Sequence, residues 1–410
     1  MLQKKQSWIC CQIGARRHYA DARALHQAGK LAHLITDGWV RPESFLPSLP
    51  LDSITRLRQR FHPDLSQASV HAFTASLIRF EISQSLQRTE KWEKTIARNY
   101  WFQKHAVKLL NNLHLQESTF EEPVTIFSHS YAALEIFRYA KSKGWRTILS
   151  QINPGLVEEQ IVKEEHKRHP EYSSTWQPAP YKFWVNWREE CSLADQIIVS
   201  SLWSSQALQQ IGIPEKKINI IPLAYQPPKQ AQNFTRRYPA AFSSQRPLRV
   251  LFLGQVNIRK GIVALLEASK LLHDQPVEFW LVGPKTITIP QESEIQEKVQ
   301  WFGSVPRGET AKYYQSADVF LFPTLSDGFG ITQLEAQAWK LPIIASKYCG
   351  DVVKDKVNGM ILPEVTGEAI ANTLLFCLQN PQQLQAFVQE ATNTCHFNLS
   401  QLQHNLQLIS

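Results

Sequence analysis

Short apolar runs alternate with amphipathic stretches along most of this chain. Trp8-Ile9-Cys10-Cys11-Gln12-Ile13 predicts a strand, and Gly14-Ala15-Arg16-Arg17-His18-Tyr19 a loop. Ala22, Leu25 and Ala28 then share one face of a helix that begins at Asp21 and ends at Gly29. Leu31–Thr36 predicts the next strand. The unit recurs at Val124–Ser128, with His129-Ser130-Tyr131 as its exit, a helix from Ala132 to Lys143 and a strand at Arg146–Ser150. Leu156–Arg168 predicts a helix, the proline- and aromatic-rich stretch 170–183 a surface loop, and Gln196–Val199 another strand. Leu248–Gly254 opens a further strand, loop and helix, the helix from Ile262 to Leu272. Strands follow at Val277–Gly283 and Val299–Gly303. Alternation of this kind predicts α/β layers built on parallel sheets.

Two regions break the alternation. Between 40 and 123, prolines 42, 47, 50 and 63 interrupt the pattern before a long helix from Arg88 to Leu113. On that helix Arg88, Lys91, Lys94 and Arg98 recur at spacings of three and four, with Trp92, Tyr100, Trp101 and Phe102 interleaved. Such a stripe suits a lipid or polyanionic acceptor, or is the solvated face of the helix. Residues 226–247, rich in proline, glutamine and serine, read as a linker.

Length and charge refine this picture. A chain of 410 residues calls for two domains. The expected division is an N-terminal domain over 1–225, a linker over 226–247, a C-terminal domain over 248–385, and a helical tail over 386–410 that crosses back. Six scattered cysteines without metal spacing suit a reducing, cytoplasmic compartment. No apolar run is long enough for a membrane span, and the basic start Met1-Leu2-Gln3-Lys4-Lys5 lacks the apolar core of a signal peptide. Residues 1–225 carry 28 Lys+Arg against 21 Asp+Glu, so most of the net charge of +8 lies there. That excess suits an anionic partner such as a membrane surface, and equally suits plain solubility. No nucleic-acid partner is expected.

The densest chemistry lies in Ser326-Asp327-Gly328-Phe329-Gly330-Ile331-Thr332-Gln333-Leu334-Glu335. A short apolar run read as a buried strand, Asp318–Phe322, precedes it, and Gln333–Trp339 continues it as a helix with Glu335 expected two turns in. Glycines at 328 and 330 permit close backbone approach to a ligand. The helix start beyond them suits a phosphate. Asp327 and Glu335 are carboxylates able to accept hydrogen bonds from sugar or ribose hydroxyls.

This stretch resembles the signature of the retaining glycosyltransferases of family 4, which have the GT-B fold of two Rossmann-like domains facing a cleft. That signature places two glutamates eight positions apart around a Gly-aromatic-Gly turn, here Asp327 and Glu335 around Gly328-Phe329-Gly330. The order helix, Ala194-Asp195, apolar strand, serine, followed by Gly212, Pro214 and Ile218–Pro222, resembles the last unit of the family's first domain. The resemblance implies transfer of a sugar from a nucleotide-sugar donor to an acceptor hydroxyl with retention of configuration, in the synthesis of a glycan, polysaccharide or glycolipid. It implies no metal and no cofactor beyond the donor substrate, since no Asp-x-Asp is present.

Roles follow by position in the motif. Lys260 is placed to grip the donor diphosphate, with Arg259 standing in for an arginine where this chain has Gln255. Gly14, with Arg16 or Arg17, approaches the diphosphate from the first domain, and the backbone at Val305 holds the base. Asp327 takes the donor sugar, Glu335 the ribose, and Gly328, Phe329 and Gly330 line the donor. His129 sits at a strand end near the transfer site, while the second strand end carries Gln151 and Asn153 instead of a histidine. Two alternatives stay open. One is an inactive GT-B protein that binds a nucleotide sugar or anionic partner, kept open by Gln255 and Gln151; the other is a sugar-nucleotide epimerase or phosphorylase of the same fold.

Overall fold

The computed structural model describes residues 7–42, 57, 60–86, 90–116, 123–172, 174–290, 297–390 and 394–409. The basic start of the chain, Pro47, Pro50 and Arg88 lie outside them. Two parallel sheets carry the architecture. The first runs β1 (Ser7–Gln12), β2 (Leu31–Thr36), β3 (Val70–Ala72), β4 (Val124–His129), β5 (Arg146–Ser150), β6 (Gln196–Val199) and β7 (Ile218–Ile220). Its spatial order is β3-β2-β1-β4-β5-β6-β7. The second contains β8 (Leu248–Leu253), β9 (Val277–Val282), β10 (Val299–Gly303), β11 (Val319–Phe322), β12 (Ile343–Ala345) and β13 (Gly359–Ile361). Its order is β10-β9-β8-β11-β12-β13.

Parallel strands covered by helices on both faces are buried on both and read as near-continuous apolar runs. β4 and β11 are buried at every position, β11 entirely apolar and β4 with Thr125, Ser128 and His129 among its residues. Each sheet reverses its strand order once, at β1/β4 and at β8/β11. Ligands of open α/β sheets bind beyond the carboxyl ends of the strands at such points. The loops after β1, β4, β5, β8 and β11 meet there, between the two sheets.

Several contacts join the halves. The hydroxyls of Ser200 and Ser201 donate to the carbonyl of Gly328 at 3.1 and 2.8 Å. The Trp203 indole donates to Ser326 Oγ at 3.1 Å. The helix Leu399–Leu408 packs Leu402 and Leu406 into the same apolar cluster as Ala20 and Ala24 of the helix Ala20–Gln27.

The stretch 226–247 is folded onto the second sheet's layer. Arg236 is buried and donates to the carbonyls of Tyr314, Ala317, Trp339 and Lys340. Arg246 forms a bidentate pair with Asp318, 2.7 and 2.6 Å. An apolar periodicity misses this, because the stretch is held by Arg236 on carbonyls, Arg246 on Asp318, and the scattered Ala231, Phe234, Tyr238 and Phe242 against the second half's core. The long helix spans Lys91–Gln116. Lys91 and Lys94 are exposed on it, but Arg98 turns inward and pairs with the buried Asp37 at 2.7 Å. The basic stripe is therefore shorter than its spacing predicts.

Candidate active site in the cleft between the sheets

The second half supplies the cleft's charged centre. After β8 the chain passes Gly254 and makes a single turn, Ile258–Lys260, capped by the Asn257 side chain, which accepts from the Lys260 N–H at 3.1 Å. Gly261 follows at φ 73°, and a Cβ there would collide with the carbonyl of Pro323. This close packing fixes Lys260 beside the loop after β11. Its ammonium is in direct contact with the Asp327 carboxylate and lies 4.7 Å over the Phe322 ring. Arg259 reaches the same carboxylate at 3.3 Å, the Ser326 carbonyl at 3.0 Å and Glu158 of the first half at 3.4 Å.

Asp327 is partly buried among these cations. Burial by itself would raise its pKa, but Lys260 and then Arg259 more than offset this and hold it at about 2. Glu158 differs. Burial is the largest influence and its pKa is raised, with Arg259 opposing and Asp327 reinforcing the rise. Glu158 accepts from Asn153 Nδ2 at 3.1 Å and from Ser326 Oγ at 3.2 Å.

The two signature glycines serve packing as much as ligand access. A Cβ on Gly328 would strike the carbonyl of Ile152 in the first half, and one on Gly330 would strike the Phe322 ring. Gly328 is thus a seam between the halves, while Gly330 and Phe329 line the cleft with Asp327. Glu335 stands in the first turn of the helix Thr332–Ala338, not two turns in, because Gly330 and Ile331 precede the helix as a loop. One carboxylate oxygen accepts from Tyr314 Oη at 2.9 Å, and the other lies 3.7 Å from Arg307. Val305 is half-buried just before Arg307, against the apolar cluster under β11 and β12.

The first half presents the loop after β1. The Gly14 N–H is taken by Asp37 at 2.8 Å, so this donor is not open to a phosphate. The face turned to the cleft is Ala15-Arg16-Arg17-His18. Arg17, His18 and Tyr19 all have left-handed backbones, φ 52°, 48° and 56°. Three such residues in succession are strained, and strain of this kind concentrates at functional sites. His18 touches Arg307 across the cleft. His129 is buried under this loop, 3.2 Å from Gln12 Oε1. Burial, then Arg17 and Arg16, push its pKa well down, so it is a neutral imidazole.

Gln151, at the end of β5, is tied into the packing of the first half. Its carbonyl accepts from the Trp187 indole at 2.9 Å and its amide donates to Tyr131 Oη at 3.1 Å. Tyr131, Glu158 and Arg307 also line the cleft or the cavity beside it, though spacing does not single them out. The strained conformation of Tyr131 (φ 75°) and the burial of Glu158 mark two of them, Arg307 is marked by its contact with His18, and none of these is visible in a sequence. The cleft around Lys260, Asp327 and Arg307 has a volume of about 980 Å³. A second cavity of about 480 Å³ adjoins it at Arg16, Ile152, Gln255 and Arg259. Among the described residues, no group of three or more His, Cys, Asp or Glu is placed to hold a metal ion.

Residues 237–394 match the family described as glycosyl transferases group 1. The amylovoran biosynthesis glycosyltransferase AmsK of Erwinia amylovora is 27% identical over 192 residues, 43% of this chain and 46% of AmsK. The chain spans about half the length of the curated relatives it matches. Among solved structures, sucrose-phosphate synthase from Thermosynechococcus elongatus has a TM-score of 0.65 at 17% identity, covering 98% of both chains. HepE from Anabaena, in complex with UDP-glucose, has a TM-score of 0.60 at 15% identity, covering 98% of this chain and 99% of that one. The fold is GT-B: two parallel sheets, each flanked by helices, facing a cleft.

Proposed function

We propose that this chain is a retaining glycosyltransferase of family 4 that moves a sugar from a nucleotide-sugar donor to an acceptor hydroxyl. One observation carries the reading: Lys260 and Arg259 converge on Asp327 in a cleft of about 980 Å³ at the switch points of both sheets. Lys260 rests on Asp327 and Arg259 is shared between Asp327 and Glu158, and a ligand that brings its own negative charge can draw on both cations. In this reading Lys260 meets the diphosphate as it departs, and Arg259 and the Arg16-Arg17 loop add to the field there. Asp327 accepts from the donor sugar's hydroxyls, and Glu335, steadied by Tyr314, accepts from the ribose. Phe329 and Gly330 line the donor, and the chain at Val305 and Arg307 borders the base. Neutral His129 takes no charge and acts by hydrogen bonding at the transfer site. The leaving group is stabilised by side-chain cations, so the reaction requires no metal ion.

The family match, AmsK's role in amylovoran biosynthesis and the UDP-glucose bound to HepE support polysaccharide synthesis from a nucleotide sugar. In the same reading residues 1–225 face the acceptor, 248–385 hold the donor, and 386–410 tie the two. Among the described residues no helix is long and apolar enough to cross a membrane. We place the protein in the cytoplasm, with peripheral contact to an anionic membrane through the exposed Lys91 and Lys94. The test of function is a thermal-shift screen with UDP-, GDP- and ADP-sugars. A ligand at 100 times its dissociation constant adds about 2.7 kcal/mol of stability. A shift with one base and slow release of the nucleoside diphosphate are expected. No shift with any of them contradicts the reading, and a shift followed by epimerised donor assigns the chain to epimerases.

A further inference from the structure

The cavity beside the donor cleft does not end at the transfer site. It meets a groove of about 670 Å³ that lies between the helices Lys91–Gln116, Leu134–Ser142 and Tyr181–Leu193. Asn99, Tyr131 and Phe183 line both. Three spaces therefore follow one another: donor cleft, inner cavity and outer groove.

The junction between the last two is built with care. Tyr131 keeps a left-handed backbone at φ 75° although it is not glycine. Glu190 holds it there: one carboxylate oxygen accepts from the Tyr131 N–H at 2.7 Å, and the other from Ala133 and Leu134 at 2.9 and 3.1 Å. Gln151 and Asn153 bind its hydroxyl at 3.1 and 2.6 Å. The ring is thereby stacked on Phe183, centroids 4.8 Å apart and 23° from parallel. Trp92 packs against Phe183 at 5.0 Å on the inner side, and Tyr100, half exposed at 51%, stands in the outer groove. A strained residue that its surroundings over-determine points to function.

We infer that this path is the acceptor site, and that its ligand is an oligosaccharide of more than one sugar, its last residue beside the donor and its earlier ones running past Tyr131 and Phe183 into the groove. The inference rests on the transferase reading. Aromatic faces set among hydrogen-bonding groups suit pyranose rings, which have apolar C–H faces and a polar hydroxyl rim. Beside its apolar residues the groove's wall carries Glu93, Glu135, Arg138 and Lys182, which can hydrogen-bond to sugar hydroxyls and not to an alkyl chain.

An array of linear oligosaccharides of one to six sugars, in several linkages, tests this with the full chain. Retention rising at least tenfold from the mono- to the trisaccharide of one linkage is expected. Tyr100→Ala, a half-exposed position, should remove most of that rise while leaving the donor's thermal shift unchanged. Phe183→Ala should do the same more strongly. Length-independent retention, retention of no glycan, or capture of polyprenyl-phosphate vesicles in preference to glycans overturns the inference. Glycans retained without any nucleotide-sugar shift would instead leave this site standing and remove the transferase reading.

Discussion

The two halves solve one structural problem in two ways. In each sheet the loop after the first strand, β1 or β8, must turn sharply at the switch point and enter a helix facing the cleft. After β8 the turn is given to Gly261, whose missing Cβ lets the backbone press against Pro323. After β1 the left-handed turn falls on Arg17, His18 and Tyr19, which strain the backbone to carry side chains. The second half thus gains a rigid platform that aims Lys260. The first gains a row of charged and aromatic groups, with Tyr19 anchored in the core and Arg16 facing the cleft. Rigid placement of the lysine proposed to grip the diphosphate and display of adaptable side chains are different tasks, and the backbone differs accordingly.

The largest way to break the contrast is Gly261→Ala. The added methyl meets the Pro323 carbonyl at a left-handed position, so the combined strain and overpacking should cost about 3 kcal/mol. Denaturant unfolding measures it, and the donor's thermal shift should vanish with the platform. Next comes Lys260→Ala, which keeps the fold and lowers turnover about a hundredfold, near 3 kcal/mol, by removing one contact to developing charge. Steady-state kinetics should show the loss in kcat more than in the donor KM. His18→Gly should act oppositely on stability. It relieves a left-handed residue and raises the unfolding free energy by about 1 kcal/mol, with its contact to Arg307 lost.

A smaller effect is the pH dependence. Asp327 is held at about 2, below an ordinary carboxylate, so its stabilising share is present above about pH 4 and disappears only as pH falls to about 2. Glu190 has the reverse sign. Burial lifts it to about 7 against the three backbone hydrogen bonds it accepts, so stability from its neutral form is complete below pH 4.5 and is lost as pH rises through 7. Unfolding midpoints between pH 5 and 8 should fall for the wild type, and the fall should be shallower in Glu190→Gln.

How far the sequence carries the account depends on the kind of feature. The α/β order and the parallel strands were legible because buried parallel strands read as near-continuous apolar runs, while the GT-B architecture was legible only through the resemblance of the Asp327–Glu335 stretch to a family signature. Lys260 and Asp327 were legible as neighbours of glycine turns, and the structure brings them into contact. Arg98 was misread, since a helix wheel shows spacing but not Asp37 arriving from the loop after β2. Gly328 was read as room for a ligand, but the space is filled by Ile152 of the other half. Arg236 escaped notice because its partners are carbonyls, which every residue has. Tyr131 escaped because backbone strain is a property of the fold.

The most direct test of the central claim compares nucleoside diphosphates with their nucleosides by calorimetric titration, in the wild type and in Lys260→Ala. If Lys260 leaves Asp327 to grip a diphosphate, the diphosphate of one base binds the wild type at least a hundredfold more tightly than its nucleoside, and most of that preference is lost in the variant. A wild type indifferent to the diphosphate, or a variant that keeps the full preference, would contradict the account.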